Sequence, residues 1–582
     1  MREEILEDLL PNQFYGNQIS VELYISRRCY PFEKNPLISN LVGTKSSKSD
    51  KESIMDLFDN ADAVALARPY MMIEGMINDT GELLFEKARV GGADAIKRYN
   101  DSLDQWEKDN GYSIIEKNGL VCIAAYFDTT ISILKCLKEL SHDSDREQQR
   151  NNERFLKKCE IKFDDPIKEI ALRNSFVNSN LMLIYGAAGT GKTKLISYIT
   201  DMMTAATKLY LTKTHTALQN IKRHLENRDD NCSFETIDGI TQSKSMVNFD
   251  IVFVDECSTI DNRTMEILLG KIHKGTKLVL SGDIYQIESI DFGNWFFYAK
   301  EIIKTKGANV ELSHTWRTEK EELKSLWNAV REKSTLITEK LAIDGPFSED
   351  LGENIFHQNK DVDEDEVVLC LNYDGKFGLN NMNRYFQNAN NQSKAYSWEE
   401  WTFKKGDRII FTNTKRSPLL YNNLKGTIVD IEYGDRKIVF EIEVKAYLTE
   451  NQCENESFDY IGLTGSGTLI RIDIILWDDE LSEEDNIKTV IPFQLAYAVS
   501  IHKAQGLEYK SVKVVIPPSN AEKITHSIFY TAITRAKEKL KIYWSPETMK
   551  PIIGSFIDES LEHRTLPIIK EELCKNESTD AF

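Results

Sequence analysis

Residues Gly186-Ala187-Ala188-Gly189-Thr190-Gly191-Lys192-Thr193 combine three glycines, a lysine and a hydroxyl at a spacing that suits phosphate chemistry. Glycines let backbone N–H groups close around phosphate oxygens. Lys192 can reach β- and γ-phosphates, and the Thr193 hydroxyl can ligate Mg²⁺. Gly186, Gly189, Thr190, Gly191, Lys192 and Thr193 are therefore candidate contacts for a nucleoside triphosphate. Asp255-Glu256 ends a hydrophobic run, Asp250-Ile-Val-Phe-Val, and offers the carboxylates such a site needs. Asp255 can hold the metal, and Glu256 can polarise an attacking water. Gln286, in Ser281-Gly-Asp-Ile-Tyr-Gln286, can bond the γ-phosphate or that water. Arg317 and Arg535 supply guanidinium groups of the kind that stabilise charge on a transferring phosphoryl group.

These residues need elements to hold them. Leu181–Tyr185 reads as a buried strand and Lys194–Met203 as a helix, so the glycine-rich loop opens a helix whose N-terminus favours anions. Lys208–Thr212, Asp250–Asp255, Lys277–Ser281 and Asn309–Leu312 read as further strands, with helical patterns between them. That alternation predicts a parallel sheet covered on both faces, with ligands at the carboxyl ends of its strands. A second α/β unit starts at Glu366–Leu371 and resumes at Gln494–Ile501 and Ser511–Ile516, with a helix near Ile524–Lys537. Between its halves, residues 402–490 read as short β-strands joined by turns, a small antiparallel barrel.

The motif order resembles superfamily 1 helicases of the RecD-like group, which includes the Dda-type phage helicases. The resemblance runs over about 166–545 and rests on the glycine-rich loop, Leu211-Thr-Lys-Thr214-His215-Thr216-Ala217, Thr236-Ile237, Asp255-Glu256, Gly282-Asp283-x-x-Gln286, Trp316-Arg317, Ser500-Ile-His502-Lys-Ala-Gln505-Gly506-Leu-Glu508 and Tyr530-Thr-Ala-Ile-Thr-Arg535-Ala. It implies an α/β fold with two RecA-like parallel-sheet domains, residues 161–345 and residues 346–401 with 491–560. It also implies an SH3-like insert at 402–490, ATP and Mg²⁺ in the cleft, and Arg317 and Arg535 at the γ-phosphate. Gly506 and Glu508 would sit near the nucleotide. Thr214, His215, Thr216 and Thr236 on one domain, with Ser500 and His502 on the other, would contact a single strand. The implied activity is an ATP-driven helicase or translocase, most simply on DNA and 5′ to 3′.

Composition sets limits. A chain of 582 residues implies several domains. Hydrophobic content of 41% is ordinary for a soluble protein, and no run of about 18 apolar residues predicts a membrane span. The acidic N-terminus does not read as a targeting signal. Cys29, Cys122, Cys136, Cys159, Cys232, Cys257, Cys370, Cys453 and Cys574 form no C-x-x-C pair, which argues for a reducing cytoplasm and against a zinc ribbon. A net charge of −20 argues against nonspecific coating of nucleic acid, with acid concentrated at Asp361–Glu366 and Asp478–Asp485. Residues 1–160 carry no nucleotide motif and read as a mostly helical accessory domain, a possible surface for a protein partner. There Glu86-Lys87 and Glu116-Lys117 read as solvated charge rather than a nuclease centre. Residues 561–582 read as a C-terminal tail, polar and frayed over Glu571–Phe582.

Two departures from the resembled group stand out. Only Asp238–Asp250 separates Thr236-Ile237 from the Asp-Glu pair, too short for the strand-separating hairpin the group carries there. Lys168 occupies the place of a glutamine that reads adenine, and an ammonium cannot accept from an amino group. The first departure favours translocation over duplex unwinding, and the second removes the expected basis for preferring ATP over other triphosphates. An ATP-gated switch that binds a partner, or an RNA helicase, are the alternatives.

Overall fold

In the computed structural model, residues 61–579 are described apart from short internal stretches, the longest being 356–364 and 477–486. Residues 1–60, all of the acidic run 478–485 and most of 361–366 lie outside the described residues. Among the described residues no helix is long and apolar enough to cross a membrane. The described cysteines are free thiols.

The chain divides into two compact units, residues 1–131 with 561–582, and residues 132–560. The described part of the first holds helices Ala61–Thr80 and Gly92–Ser102 and three antiparallel strands. These are β1 (Phe85–Glu86), β2 (Ile114–Lys117) and β3 (Leu120–Ile123), in the order β1-β3-β2. Glu86 and Glu116 flank β3, and their partners are Arg564 at 2.9 Å and Lys87 at 2.6 Å. These pairs are surface ion pairs, with both glutamate side chains about half exposed (53%). The tail is not frayed through 579. Glu562–Thr579 is a helix that buries Ile568, Ile569 and Leu573. Its polar composition hides three apolar residues on one helical face.

The second unit contains two parallel sheets. The first has six strands: β4 (Leu181–Gly186), β5 (Lys208–Thr212), β6 (Cys232–Thr236), β7 (Ile251–Val254), β8 (Lys277–Gly282) and β9 (Asn309–Leu312). Their order is β6-β5-β7-β8-β4-β9, and every pairing is parallel. β4, β5 and β7 are buried at every position, which is why they read as unbroken apolar runs. Tyr210 stacks on Phe234 and Phe253 at 5.0 and 4.7 Å, packing β6, β5 and β7 through one face.

The chain then forms β10 (Ser348–Glu349) and β11 (Glu366–Cys370) and leaves the α/β pattern for a hairpin, β12 (Ala395–Trp398) and β13 (Trp401–Lys404). An all-antiparallel insert follows: β14 (Arg408–Phe411), β15 (Lys425–Tyr433), β16 (Lys437–Val444), β17 (Asp459–Leu463), β18 (Thr468–Ile475) and β19 (Phe493–Leu495). Its order is β17-β18-β16-β15-β14-β19. Here burial alternates along β18 at every second residue, so only one face is buried. Phe403, Phe411 and Phe440 converge on Phe493 at 5.2–5.8 Å.

The α/β pattern resumes with β20 (Ala498–Ser500), β21 (Tyr509–Val515) and β22 (Ala536–Tyr543). With β10 and β11 they make a five-stranded parallel sheet, β10-β22-β21-β11-β20. The helix expected at 524–537 is shorter, His526–Ile533, and β22 follows at once. The Lys-rich stretch Ala536-Lys-Glu-Lys-Leu-Lys masks a strand whose Leu540, Ile542 and Tyr543 are buried.

Candidate nucleotide site

Six strand ends and loops of the first sheet lie on one side of it, as parallel pairing requires. β4 runs into the glycine-rich loop. Gly189 and Gly191 take φ of +79° and +85°, where a side chain is strained. A Cβ on Gly189 would also collide with Cβ of Arg317, and one on Gly186 would lie 2.6 Å from Thr190 Oγ1. The segment after β9 is bonded directly to this loop. Trp316 N donates to Gly189 O at 2.8 Å and Thr315 Oγ1 to Ala188 O at 3.2 Å. These bonds bring Arg317 to the loop. Lys192 opens the helix Lys192–Met202 and curls back, donating to Gly186 O at 2.7 Å and Ala187 O at 3.1 Å. Burial holds its ammonium below the usual lysine range, opposed by the charges of Asp283 and Asp255.

β7 is followed directly by Asp255 and Glu256. Glu256 adopts φ +57°, uncommon for a residue with a side chain, and its amide N–H is held by Asp255 Oδ1 at 3.0 Å. Burial, then the neighbouring Asp255, push its carboxyl up to about 7, against the pull of Arg535, Lys192 and Arg317. A group titrating there is suited to taking a proton at neutral pH. β8 is followed by Asp283, whose Oδ2 accepts from Gln286 Nε2 at 3.4 Å. Asp283 was not among the expected site residues. It is buried and its charge acts on Lys192.

The second sheet approaches from the opposite sense. Gly506, Glu508 and Arg535 precede β21 and β22, at the amino ends of those strands. Tyr509 pairs with Ala536, and Tyr509 N donates to Arg535 O at 3.0 Å, so Glu508 and Arg535 are neighbours across the ladder. A Cβ on Gly506 would stand 3.4 Å from Glu256 Oε1, which places this loop against the Asp-Glu pair. Arg317 Nη1 donates to Thr534 O at 2.7 Å, and Nη2 is bonded to the Glu508 carboxylate. Lys537 pairs with the other Glu508 oxygen at 2.7 Å. Burial would raise the Glu508 carboxyl, but Arg317 and Lys537 outweigh it and hold it down at about 2. Arg535 is buried, donating to Thr531 O at 2.9 Å and Leu507 O at 3.2 Å. Burial, then Arg317, lower its guanidinium to about 10. The sheets are also joined by Ile287 N to Thr531 Oγ1 at 2.9 Å.

Lys192, Asp255, Glu256, Gln286, Arg317, Gly506, Glu508 and Arg535 are thus brought together. Lys537 was missed, and nothing in its sequence setting marks it.

The candidate strand-contacting residues are placed differently. Thr214 and Thr236 follow or end the adjacent strands β5 and β6, where Thr212 pairs with Thr236. Thr214 Oγ1 accepts from Ala217 N, Thr236 Oγ1 from Gly239 N and Ser500 Oγ from Lys503 N, each at 3.2 Å. Each hydroxyl spends a lone pair on its own backbone, and that bond does not use its proton. Thr214, His215 and His502 are exposed, and Ser500 is buried at the end of β20. The Thr216 side chain lies outside the described residues. Residues 238–250 form the helix Ile237–Gln242 and a linker touching Ile272 at Val247, with no hairpin. Lys168 is buried, with Nζ 3.0 Å from both Asp164 oxygens and against Gly191.

Residues 169–345 match the family described as AAA domain, and residues 495–543 the family described as UvrD-like helicase C-terminal domain. RecBCD enzyme subunit RecD of Buchnera aphidicola subsp. Acyrthosiphon pisum is 23% identical over 65% of this chain and 71% of its own length. ATP-dependent DNA helicase Pif1 of Campylobacter jejuni is 24% identical over 52% of this chain and 72% of its own. The crystal structure of Bacteroides Pif1 bound to ssDNA is similar at 13% identity and TM-score 0.42, covering 67% of this chain and 94% of that one. Two parallel sheets facing one glycine-rich loop, with an arginine from each, define a P-loop ATPase of the superfamily 1 helicase class. Within that class the chain is similar to RecD and Pif1 at the identities just given.

Proposed function

We propose that this chain is an ATP-driven translocase on single-stranded DNA, moving 5′ to 3′. The observation that carries the reading is the meeting of Arg317, Glu508 and Arg535 beside Glu256 and the glycine-rich loop. Arg317 Nε is buried without a hydrogen-bond partner among the described residues, a donor suited to a phosphate oxygen. Asp255 and Thr193 are oxygen ligands of the kind Mg²⁺ takes. Bound ATP with Mg²⁺ would supply the phosphoryl group and the metal charge that the cleavage requires. On this reading Lys192 pairs with the β- and γ-phosphates, and Gln286, held by Asp283, orients the water. Glu256 takes the proton of that water. Arg317 and Arg535 stabilise the charge that spreads over the γ-oxygens.

Closure of the second sheet on the first then depends on the γ-phosphate, the differential contact that a nucleotide-driven movement needs. Thr214, His215, Thr236, Ser500 and His502, with Thr216, grip backbone phosphates on the two sheets in alternation. Hydroxyl and imidazole contacts position a strand without reading its sequence. A reducing cytoplasm fits the free thiols, and the unit around β1–β3 is offered as the seat of a protein partner.

The linker at 238–250, with no hairpin, favours a second reading in which ATP reshapes the protein and little duplex is opened. Steady-state ATP hydrolysis with and without a single-stranded oligomer separates the two. A motor is stimulated severalfold, more by DNA than by RNA, and Lys192→Ala abolishes the activity. Unstimulated hydrolysis would leave the switch standing and remove the motor.

A further inference from the structure

The inserted sheet meets the second parallel sheet through Ile410, which packs in the core of that sheet, and through polar contacts. Asp407 is fully buried and accepts from Gln387 Nε2 at 2.6 Å, Lys404 N at 2.8 Å and Tyr497 Oη at 3.0 Å. Arg408 Nη1 donates to Glu366 O at 3.0 Å. The Arg408 bond fastens β14 to β11 of the second sheet, and Asp407 ties the start of β14 to the hairpin strand β13 and to the segment leading into β20.

Lys425 is placed otherwise. It is the first residue of β15, and its ammonium lies 3.7 Å from the centre of the Tyr509 ring. It donates to Glu508 O at 3.1 Å and Asp365 Oδ1 at 3.3 Å. Asp365 in turn accepts from Lys510 N at 3.1 Å through Oδ2, and from Ser511 N at 3.3 Å through its carbonyl. The insert therefore sends one cation onto the backbone of the residue whose carboxylate holds Arg317. An ammonium over an aromatic face and within reach of a carboxylate is stabilised well enough to fix that geometry.

We propose that Lys425 is a positioning residue that ties the inserted sheet to the nucleotide site through Glu508, so that movement of the insert changes the hold of Glu508 on Arg317. The inference rests on the proposed function above. β15 pairs with β14 and β16, so a displacement of either reaches Lys425 through the sheet. Glu508 moves with its own carbonyl, because side chain and carbonyl share one backbone. Arg317 stays with the glycine-rich loop, to which its neighbours are bonded. A shift of Glu508 thus changes how firmly Arg317 is held by the carboxylate rather than offered to a phosphate.

The test is steady-state ATP hydrolysis by the full chain, with a thymidine oligomer of thirty nucleotides as the probe. Lys425→Met is expected to lower stimulated kcat about tenfold, with KM for ATP within about twofold, because the residue acts on Arg317 and not on nucleotide binding. Lys425→Arg is expected to recover kcat to within about threefold, since a guanidinium also stacks and donates there. In a Glu508→Gln background, Lys425→Met should cost less than about twofold further, because the pathway it uses is already cut. Asp365→Asn, which loosens Lys425 without removing it, carries the same comparison if Lys425→Met does not fold. Full multiplication of the two losses overturns the link, as does a change in KM alone or wild-type kcat in Lys425→Met. A wild type that hydrolyses no ATP overturns the functional reading itself, before any variant is compared.

Discussion

The two parallel sheets serve the nucleotide site from opposite ends. The first offers the glycine-rich loop, Asp255, Glu256, Asp283 and Arg317 from the carboxyl ends of its strands. The second offers Gly506, Glu508 and Arg535 from loops entering the amino ends of β21 and β22. Carboxyl ends of parallel strands form the ordinary crevice for a ligand, so the first sheet can hold a triphosphate by itself. The second sheet cannot, because it brings one anion and one buried cation whose partners are mostly its own carbonyls. On the proposed function, binding belongs to the first sheet and the response to binding to the second.

Arg535 breaks or sustains that division most sharply. If it acts across the cleft, Arg535→Ala lowers kcat by about 10³ or more, the range of a guanidinium that completes a phosphoryl-transfer site. Nucleotide affinity, measured by fluorescent ATP-analogue titration, stays close to wild type, because the first sheet is untouched. If Arg535 only braces Thr531 and Leu507, the variant melts at lower temperature and a low-temperature assay recovers most of kcat. Arg535→Lys separates these outcomes, keeping a charge near the carbonyls and losing the forked geometry.

The first sheet was legible because its chemistry is local. Glycine, lysine and threonine stand within eight residues, and the strands at 181–186 and 208–212 are buried throughout and so read as plain apolar runs. The candidate site residues then lie in the segments that follow recognisable strands. The second sheet was harder for the same physical reason in reverse. β22 is interrupted by lysines at 537, 539 and 541, and Lys537 and Lys541 pair with Glu508 and Glu349. The sequence could not reveal that those charges are balanced by residues far along the chain. The tail failed similarly, since a helix whose buried apolar side chains include just Ile568, Ile569 and Leu573 among the described residues leaves a mostly polar stretch. The contacts of Lys425 had no local signal at all, because Asp365 and Glu508 lie on either side of the insert in sequence.

Glu256 tests the first sheet's share of the chemistry. Its carboxyl, raised to about 7 by burial and Asp255, must be ionised to accept a proton. The kcat for hydrolysis should therefore rise from pH 6 to pH 8 with a midpoint near 7. Glu256→Gln should remove about 10²–10³ in kcat and flatten that limb, in the range that losing a positioned proton acceptor costs. The stability sign is opposite. A carboxyl raised in the folded chain favours folding below its unfolded pKa, and that contribution fades as pH rises through about 7. A profile unchanged by Glu256→Gln would assign the limb to another group.

The smallest effects belong to the hydroxyls at the ends of β5 and β6. Thr236 Oγ1 caps the helix Ile237–Gln242 by accepting from Gly239 N, and its proton remains to donate. Thr236→Val removes both, while Thr236→Ser keeps both. Loss of the cap costs about 1 kcal/mol of stability, and loss of one hydroxyl hydrogen bond to an anionic phosphate weakens oligomer binding about tenfold. Fluorescence anisotropy with a labelled single strand reads the second, and thermal unfolding the first. At saturating oligomer, kcat for ATP should stay within about twofold, because this hydroxyl lies outside the cluster around Arg317. A variant that melts earlier yet binds the strand as wild type would reduce Thr236 to a cap. The first sheet would then hold the strand by other groups, and the hydroxyl at the end of β6 would have no part in the motor.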